Sequence, residues 1–463
     1  MVNIMKNILE NSVFKFFEQI CSIPRSSGNP KGIQQYLIDF AKQRNLPYFA
    51  DNYGNVIINK KTSNYEPIIL QAHTDMVCVK SAKSNIDFDK EGINVVKKGN
   101  FLTAKNTSLG ADNGIGMALI LDVLDSNIPC NIQAVFTADE ETTMQGAYNL
   151  DIKKINAKKM ICLDGFNSNT IITSSAGFVD FYVTQKNEKI FLENTPDIKT
   201  FKLSVYGLLG GHSGFDINKN RGSSHKLASS LLLKVPDVQL IKFSGGHNFN
   251  VIPTKTECVF STKMPEKELK NIIKYFYKQN KRIYPSLKIK CSRQLNQTLV
   301  LKNGLKFLKF INKFNQGVLN LDENNNVTSS QNISEVSAEN GYMKIGIRCS
   351  NKEREKEIVK NLTKLCNEFS LEAKVLDSQP AFKTLNNSTL LQNLIKSSPN
   401  KVKEVKLHIA VECGIFQERV KNLDVAIISP TILDAHSINE RVNISSVLET
   451  SNWLKTFFKN QLN

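Results

Sequence analysis

Hydrophobic and polar positions follow two different periods along the first part of the chain. Between residues 12 and 48, apolar residues recur at helical spacing, and the pattern breaks at Pro24 and Pro30. Farther along, short apolar runs typical of buried strands alternate with a helical segment at residues 114–124. The runs lie at residues 56–58, 67–70, 132–136 and 160–163. Strands that alternate with helices predict an α/β fold with a mostly parallel sheet.

The pattern changes near residue 178 and changes back near residue 378. Between these points we predict half-buried strands and amphipathic helices, an α+β mixture. The strands are expected at residues 201–206 and 342–348, the helices at 267–278 and 352–369, and a polar loop at 324–332. A buried strand at residues 425–428 then resumes the first pattern. The prediction is therefore one α/β domain of residues 1–177 and 379–463, interrupted by an inserted α+β domain of residues 178–378.

Side chains that can bind metal ions follow the predicted strands of the α/β domain. They are His73 and Asp75 after residues 67–70, Glu140 and Glu141 after 132–136, Asp164 after 160–163, and His436 after 425–428. Asp112 is a further candidate, where a glycine-containing turn enters the helix. In open α/β sheets, functional groups gather at the carboxyl ends of the strands. We therefore expect these side chains to lie close together.

Two imidazoles with several carboxylates form a donor set for divalent cations, zinc above all, with manganese or cobalt as alternatives. The set is too large for one tetrahedral ion and suits two ions about 3.5–4 Å apart that share a carboxylate. Asp75 comes two residues after His73, so both side chains are expected on one face, where Asp75 can accept the second ring N–H of the histidine. Each motif alone is common on protein surfaces, and only their joint placement is specific.

Composition excludes several other classes of protein. The net charge of +17, from 60 basic and 43 acidic side chains, raises the question of nucleic acid as a partner, but the lysines are scattered and no recognised RNA-binding module is present. The nine cysteines contain no Cys-x-x-Cys pair, which favours a reducing compartment. Neither a signal peptide nor a membrane span is recognised. We expect a cytoplasmic protein with no nucleic-acid or membrane partner.

Six stretches of the chain resemble a known family, the di-zinc metallopeptidases that include glutamate carboxypeptidases, aminoacylases, tripeptidases and dipeptidases. The stretches are IILQAHTDMV, LGADNGIGMALILDVL, TADEETTMQGA, GLLGGHSGFDI, HIAVECGIF and SPTILDAHSINERVNI. They occur in the family's order, and the resemblance is greatest to its aminoacyl-histidine dipeptidase branch. It implies hydrolysis of unblocked dipeptides, including those with C-terminal histidine.

The resemblance also implies a role for each site residue. His73, Asp112 and Asp164 would bind one metal ion, and Asp112, Glu141 and His436 the other, with Asp112 as the bridge. Glu140 would be the general base, and Asp75 would assist catalysis beside His73. In the inserted domain, the family's lid, His212 would stabilise the scissile carbonyl oxygen, while Asn250 and Arg348 would bind substrate.

Some features depart from the family pattern. Ile409 and Ala410 replace the centre of one motif, and Gly165 and Phe166 follow Asp164 where relatives have acidic residues. Both changes bear on substrate preference. The inserted domain is about twice the family's minimal size, so His212 could act within one chain or across a homodimer. A tripeptidase, an N-acyl-amino-acid deacylase, and a non-catalytic binding protein on the same scaffold remain the alternatives.

Overall fold

The computed structural model of the protein describes residues 11–186, 188–192 and 197–461. Within these residues the chain forms two compact units. The first comprises Met1–Ser174, Phe382–Lys406 and Val411–Asn463, and the second comprises Ser175–Ala381 and Leu407–Ala410. That residues 178–378 act as a lid stays a prediction.

The helices are α1 Ser12–Cys21, α2 Lys31–Gln43, α3 Ala111–Asp125, α4 Gln145–Asn149, α5 Ser224–Leu232, α6 Glu266–Lys281, α7 Gly304–Lys313, α8 Lys352–Glu368, α9 Thr389–Ser397, α10 Glu412–Arg419 and α11 Ile444–Asn460. A single 3₁₀ turn, Ile152–Lys154, is also described. The break predicted at Pro24 and Pro30 is the connection between α1 and α2.

The strands of the first half of the chain are β1 Tyr48–Ala50, β2 Val56–Lys61, β3 Ile68–His73, β4 Val95–Lys98, β5 Phe101–Ala104, β6 Asn131–Thr137, β7 Lys159–Cys162, β8 Thr170–Ser174, β9 Gly177–Thr184, β10 Lys189–Phe191, β11 Lys199–Tyr206 and β12 Gly211–His212. Those of the second half are β13 Gln239–Gly246, β14 Val251–Ile252, β15 Thr256–Thr262, β16 Lys288–Arg293, β17 Leu299–Leu301, β18 Gly317–Leu321, β19 Val327–Ser337, β20 Tyr342–Cys349, β21 Glu372–Gln379, β22 Lys403–Lys406, β23 Asp424–Ile427, β24 Ile432–Leu433 and β25 Arg441–Asn443.

The first unit is built around an eight-stranded sheet with the order β1-β2-β6-β3-β7-β23-β8-β22. Its centre is parallel, because β3 pairs in parallel with both β6 and β7, and β7 pairs in parallel with β23. Every residue of β3 is buried, which is why this strand reads as a continuous apolar run rather than an alternating one. The carboxyl ends of these four central strands therefore lie at one edge of the sheet.

Helix α3 belongs to the core of this unit. Every residue from Ala111 to Leu124 is buried, and a helix that is apolar on all sides is a core helix. One apolar cluster joins it to α1, β3 and α11, through residues such as Phe17, Leu70, Leu119 and Leu454. The amino-terminal end of α3, where Asp112 lies, is thus held by packing. A smaller sheet with the order β24-β25-β5-β4 completes the unit.

The second unit contains a nine-stranded antiparallel sheet with the order β16-β11-β15-β13-β19-β20-β9-β21, in which β18 also pairs with β19. Buried and half-buried residues alternate along β9, as expected of a strand with one face in the core. Apolar side chains of α5, α6, α7 and α8 share one cluster with the sheet. The predicted fold class, an α/β domain with an inserted α+β segment, is confirmed.

The loop predicted at residues 324–332 is wrong for most of its length, because β19 begins at Val327. The polar side chains of residues 329–332 are buried and hydrogen-bonded instead of solvated. Ser329 Oγ donates to Asn320 Oδ1 at 2.8 Å, and Asn332 Nδ2 donates to the carbonyl of Val251 at 2.9 Å. Polarity alone predicted solvent exposure, whereas tertiary hydrogen bonds keep this strand in the sheet.

Two general features complete the description. None of the described helices is both long and apolar enough to cross a membrane. The nine cysteines, all within the described residues, are free thiols.

Candidate metal centre

His73 is the last residue of β3, and its imidazole is buried. Its Nδ1 lies 3.2 Å from the backbone carbonyl of Asp75 and 3.5 Å from the Asp75 carboxylate. When Nδ1 donates to the nearer acceptor, the carbonyl, the deprotonated ring has its lone pair on Nε2, the nitrogen that a metal ion would bind. The sequence predicted the side chain of Asp75 as this partner, and the structure adds the main chain of the same residue.

Asp112 lies in the first turn of α3, shortly after a left-handed residue, Gly110, whose φ is +69°. Its two carboxylate oxygens face different histidines. Oδ1 is 3.1 Å from Nε2 of His73, and Oδ2 is 3.1 Å from Nε2 of His436. A carboxylate with one oxygen toward each imidazole has the arrangement of a bridging ligand.

Glu140 and Glu141 follow β6, in a turn where Asp139 has a φ of +58°. The Asp75 carboxylate fixes their main chain, because Oδ1 accepts the N–H of Glu140 at 3.0 Å and Oδ2 accepts the N–H of Glu141 at 3.2 Å. Glu141 Oε1 lies 3.0 Å from Nε2 of His436. Asp75 therefore positions both glutamates through their backbone.

Two more predicted ligands complete the cluster. Asp164 follows β7, and its Oδ1 is 3.8 Å from Nε2 of His73. His436 lies in the loop between β24 and β25. The structure thus brings together side chains from three strand ends, one helix start and one loop, which are far apart in the sequence.

Three groups of side chains in this cluster have ligand atoms within 4.8 Å of one another. They are His73, Asp112 and Asp164; His73, Glu140 and Glu141; and Asp112, Glu141 and His436. The first and third share only Asp112, so this donor set fits two divalent ions with one common carboxylate. Imidazole and carboxylate donors together suit zinc, manganese or cobalt.

The electrostatics of the cluster also fit cations. Burial, reinforced by the Asp112 carboxylate, raises the pKa of Asp164 to about 7. Burial likewise raises the pKa of Glu140. Burial disfavours the protonated form of His436, but its hydrogen bonds to Asp112 and Glu141 outweigh this and raise its pKa to about 11. In the metal-free protein, bound protons thus reduce the repulsion among these buried carboxylates. Two divalent ions would reduce that repulsion more strongly.

Three buried polar residues beside the cluster were not predicted from the sequence. Arg25 donates hydrogen bonds to the carbonyls of Thr74 and Asp75 at 3.1 and 3.0 Å. Glu440 accepts backbone N–H groups at the start of α3, and Glu412 lies at the start of α10. An arginine that follows an amphipathic helix gives no signal in the sequence that it will be buried beside such a cluster. Glu440 could have been noticed as a carboxylate four residues after His436.

Glu412 belongs to a buried polar network between strands and helix. Its Oε2 accepts hydrogen bonds from Gln71 Nε2 at 2.7 Å and Thr137 Oγ1 at 2.6 Å. Burial raises its pKa to about 8. Gln71 is two residues before His73, so this network supports the end of β3.

His212 and Arg348 lie in the second unit and are close to each other there. Nδ1 of His212 accepts the backbone N–H of Gly214 at 3.1 Å, and its Nε2 lies 3.4 Å from Nη2 of Arg348, a group that can only donate. The Arg348 guanidinium lies with Cζ 4.4 Å from the centre of the Phe178 ring, and its Nε donates to Ser213 Oγ at 3.3 Å. Burial lowers the pKa of Arg348 to about 9.

The third residue predicted in this unit, Asn250, is exposed. Its backbone carbonyl accepts the N–H of Ser213 at 2.7 Å. The structure therefore brings Asn250 next to the segment that contains His212 and into the neighbourhood of Arg348.

Comparisons with known proteins agree with this architecture. Residues 203–288 match the peptidase dimerisation domain of the M20 family. The chain is 29% identical to the cytosol non-specific dipeptidase of Escherichia coli over 94% of each chain. Its fold matches the aminoacylhistidine dipeptidase of Vibrio alginolyticus with a TM-score of 0.83 and 26% identity, over 97% of this chain and 96% of that one.

A more distant structure has the same fold. The aminopeptidase PepT of Bacillus cereus aligns with a TM-score of 0.56 and 13% identity, over 98% of each chain. Sequence similarity and fold similarity both extend over nearly the whole chain, and the resemblance that the six motifs indicated is confirmed. The comparisons identify the chain as a hydrolase that is similar to peptidases of the M20 family.

Proposed function

We propose that this protein is a dipeptidase that hydrolyses unblocked dipeptides with the aid of two divalent metal ions. The observation that supports it most directly is the position of Asp112, whose Oδ1 and Oδ2 each lie 3.1 Å from Nε2 of a different histidine. The names of two relatives, a non-specific dipeptidase and an aminoacylhistidine dipeptidase, support the substrate class. Dipeptides with C-terminal histidine are proposed among the substrates.

The proposed ligands are His73, Asp112 and Asp164 for one ion, and Asp112, Glu141 and His436 for the other. Zinc is the first choice, with manganese or cobalt as alternatives. When bound, the ion pair supplies Lewis acidity to the scissile carbonyl and acidifies the attacking water.

Glu140 is the proposed general base. Its carboxylate accepts a proton from the attacking water and later donates that proton to the leaving amine. The elevated pKa that burial gives Glu140 in the metal-free protein makes it a better proton acceptor than an exposed glutamate. Asp75 holds the backbone of Glu140 and supports His73, so it contributes by positioning.

Residues of the second unit are proposed to bind the substrate itself. The His212 imidazole would donate a hydrogen bond to the scissile carbonyl oxygen, where negative charge develops. Arg348 would bind the terminal carboxylate, and its burial without a salt bridge in the described part of the chain supports this role. Asn250 would add a further contact. The dimerisation-domain match supports a homodimer, and the name of the Escherichia coli relative supports a cytoplasmic location.

The test is metal dependence. Metal analysis of the purified protein should approach two ions per chain. Prolonged chelation should abolish dipeptide hydrolysis, and zinc or manganese should restore it. Full activity in a verified metal-free preparation would refute the proposal.

A further inference from the structure

The carboxylate of Glu440 is buried against the start of α3. Its Oε2 accepts the backbone N–H groups of Leu109 and Gly110 at 2.8 and 2.9 Å, and its Oε1 accepts the N–H of Asp112 at 3.2 Å. Glu440 is only 2% exposed. One carboxylate thus binds three backbone groups of the turn that orients Asp112.

Glu440 also belongs to the loop that contains His436. The N–H of Glu440 donates to the carbonyl of Ser437 at 3.2 Å, and its own carbonyl accepts Thr103 Oγ1 at 2.8 Å. The two ends of one short loop therefore contact the same region. His436 faces the side chain of Asp112, and Glu440 binds its main chain.

Arg25 holds the other side of this turn. Its guanidinium donates to the carbonyl of Gly110 and to the carbonyls of Thr74 and Asp75, directly after His73. A Cβ at Gly110 would collide with Arg25 Nη2, so the close approach requires glycine. The turn before Asp112 is thus tied to the His73 segment by Arg25 and to the His436 segment by Glu440.

We infer that Glu440 is a positioning residue for the metal pair. It holds Asp112 and His436 in the relative positions that the second ion requires, the ion proposed to bind Asp112, Glu141 and His436. This inference rests on the proposed dinuclear site. Outer hydrogen-bond partners of metal ligands typically change metal affinity by about 10–100-fold when they are replaced. A purely structural role would lower stability and leave the affinity of the folded protein for each ion unchanged.

The substitution Glu440→Gln separates these roles. A glutamine side chain has one acceptor oxygen, and its NH₂ group would face one or two of the three N–H donors. Glu440→Asp keeps both acceptor oxygens on a side chain that is one methylene shorter. The matched control is Asp122→Asn in the same helix, because Asp122 is a buried carboxylate that binds Ser451 Oγ at 2.8 Å and Lys455 Nζ at 2.6 Å.

The experiment is titration of the metal-free wild type and variants with Co²⁺, followed by visible absorption and by calorimetry. In the wild type we expect two ions to bind. In Glu440→Gln, the ion bound by His436 should bind at least about tenfold more weakly, while the other ion, which shares only Asp112 with it, should be weakened clearly less. Glu440→Asp should show a smaller loss at the same ion, and Asp122→Asn should bind both ions as the wild type does.

Each outcome has one meaning. If the wild type bound fewer than two ions, the proposed function itself would fail. If the wild type bound two and folded Glu440→Gln or Glu440→Asp bound both with unchanged affinity, the inference about Glu440 would be overturned. Equal weakening of both ions, matched by Asp122→Asn, would also overturn it, because that result marks a general loss of stability.

Discussion

The carboxylate of Asp75 accepts the backbone N–H of Glu140 through Oδ1 at 3.0 Å. The same carboxylate accepts the N–H of Glu141 through Oδ2 at 3.2 Å, while the backbone carbonyl of Asp75 lies 3.2 Å from Nδ1 of His73. The Asp75 carboxylate therefore fixes the main chain of both adjacent glutamates. The proposed division of labour, with Glu141 as a metal ligand and Glu140 as the general base, depends on this positioning.

Substitution of the two glutamates should have different consequences. Glu140→Gln should keep both metal ions and lose about 10²–10⁴-fold in kcat, because it removes the general base but no ligand. Glu141→Gln should weaken the ion that His436 binds, because Glu141 Oε1 lies 3.0 Å from Nε2 of His436. Metal content and kcat of each purified variant are the measurements. Loss of metal in Glu140→Gln with full metal in Glu141→Gln would reverse the two roles.

Metal binding should depend on pH in a defined direction. Hydrogen bonds to carboxylates overcome the effect of burial and raise the pKa of His73 above its usual range, and they raise that of His436 to about 11, so protons compete with metal ions for both imidazoles. A metal ion binds only the deprotonated ring. Affinity should therefore rise with pH from 6 to 8, and binding should release protons.

Calorimetric titration in two buffers of different ionisation enthalpy measures this proton release. An affinity that is constant from pH 6 to 8, with equal heats in both buffers, would contradict the assignment of the imidazoles as ligands.

The turn before Asp112 predicts a stability difference between two glycines. Gly110 has a φ of +69°, and a Cβ there would meet Arg25, whereas Gly99 has a φ of +59° with open space around it. Gly99→Ala should lower the free energy of unfolding by about 1–2 kcal/mol, the cost of a left-handed alanine. Gly110→Ala should cost more and should also weaken metal binding. Chemical denaturation of the metal-free proteins measures the free energy of unfolding of each variant. Equal losses in the two variants would show that the contact with Arg25 adds nothing to the cost of a side chain at Gly110.

Recognition of the substrate carboxylate by Arg348 can be tested with matched substrates. Arg348→Ala should lower kcat/KM for a free dipeptide about ten- to a hundredfold, since a hydrogen bond to a charged group is worth about 1.5–3 kcal/mol. The same substitution should have almost no effect on the C-terminally amidated dipeptide, which lacks the charge. If both substrates lost activity equally, Arg348 would not bind the carboxylate.

Local pattern was sufficient to predict much of the fold and the cluster. The apolar run before His73 identified a central parallel strand, and parallel strands align their carboxyl ends, so the proximity of His73, Asp164 and Glu141 followed from topology. Burial of the polar residues 329–332 could not be predicted in this way, because their hydrogen-bond partners lie 9 to 81 residues away in the sequence.

The same reason explains why the residues around the ligands were missed. Arg25 acts on the carbonyl of Gly110, 85 residues away, and Glu440 on the N–H of Leu109, 331 residues away. Neither contact leaves a periodic or composition-based signal. Side chains that bind backbone groups across the fold are visible only when the fold is known.

The most direct test of the dipeptidase assignment is a comparison of initial rates on three substrate classes. Metal-reconstituted protein should hydrolyse free dipeptides, Xaa-His among them, and should lose this activity in the Glu140→Gln variant. Tripeptides and N-acetylated amino acids should react far more slowly. A preference for tripeptides would indicate a tripeptidase, a preference for acetylated amino acids a deacylase, and either result would contradict the proposed function.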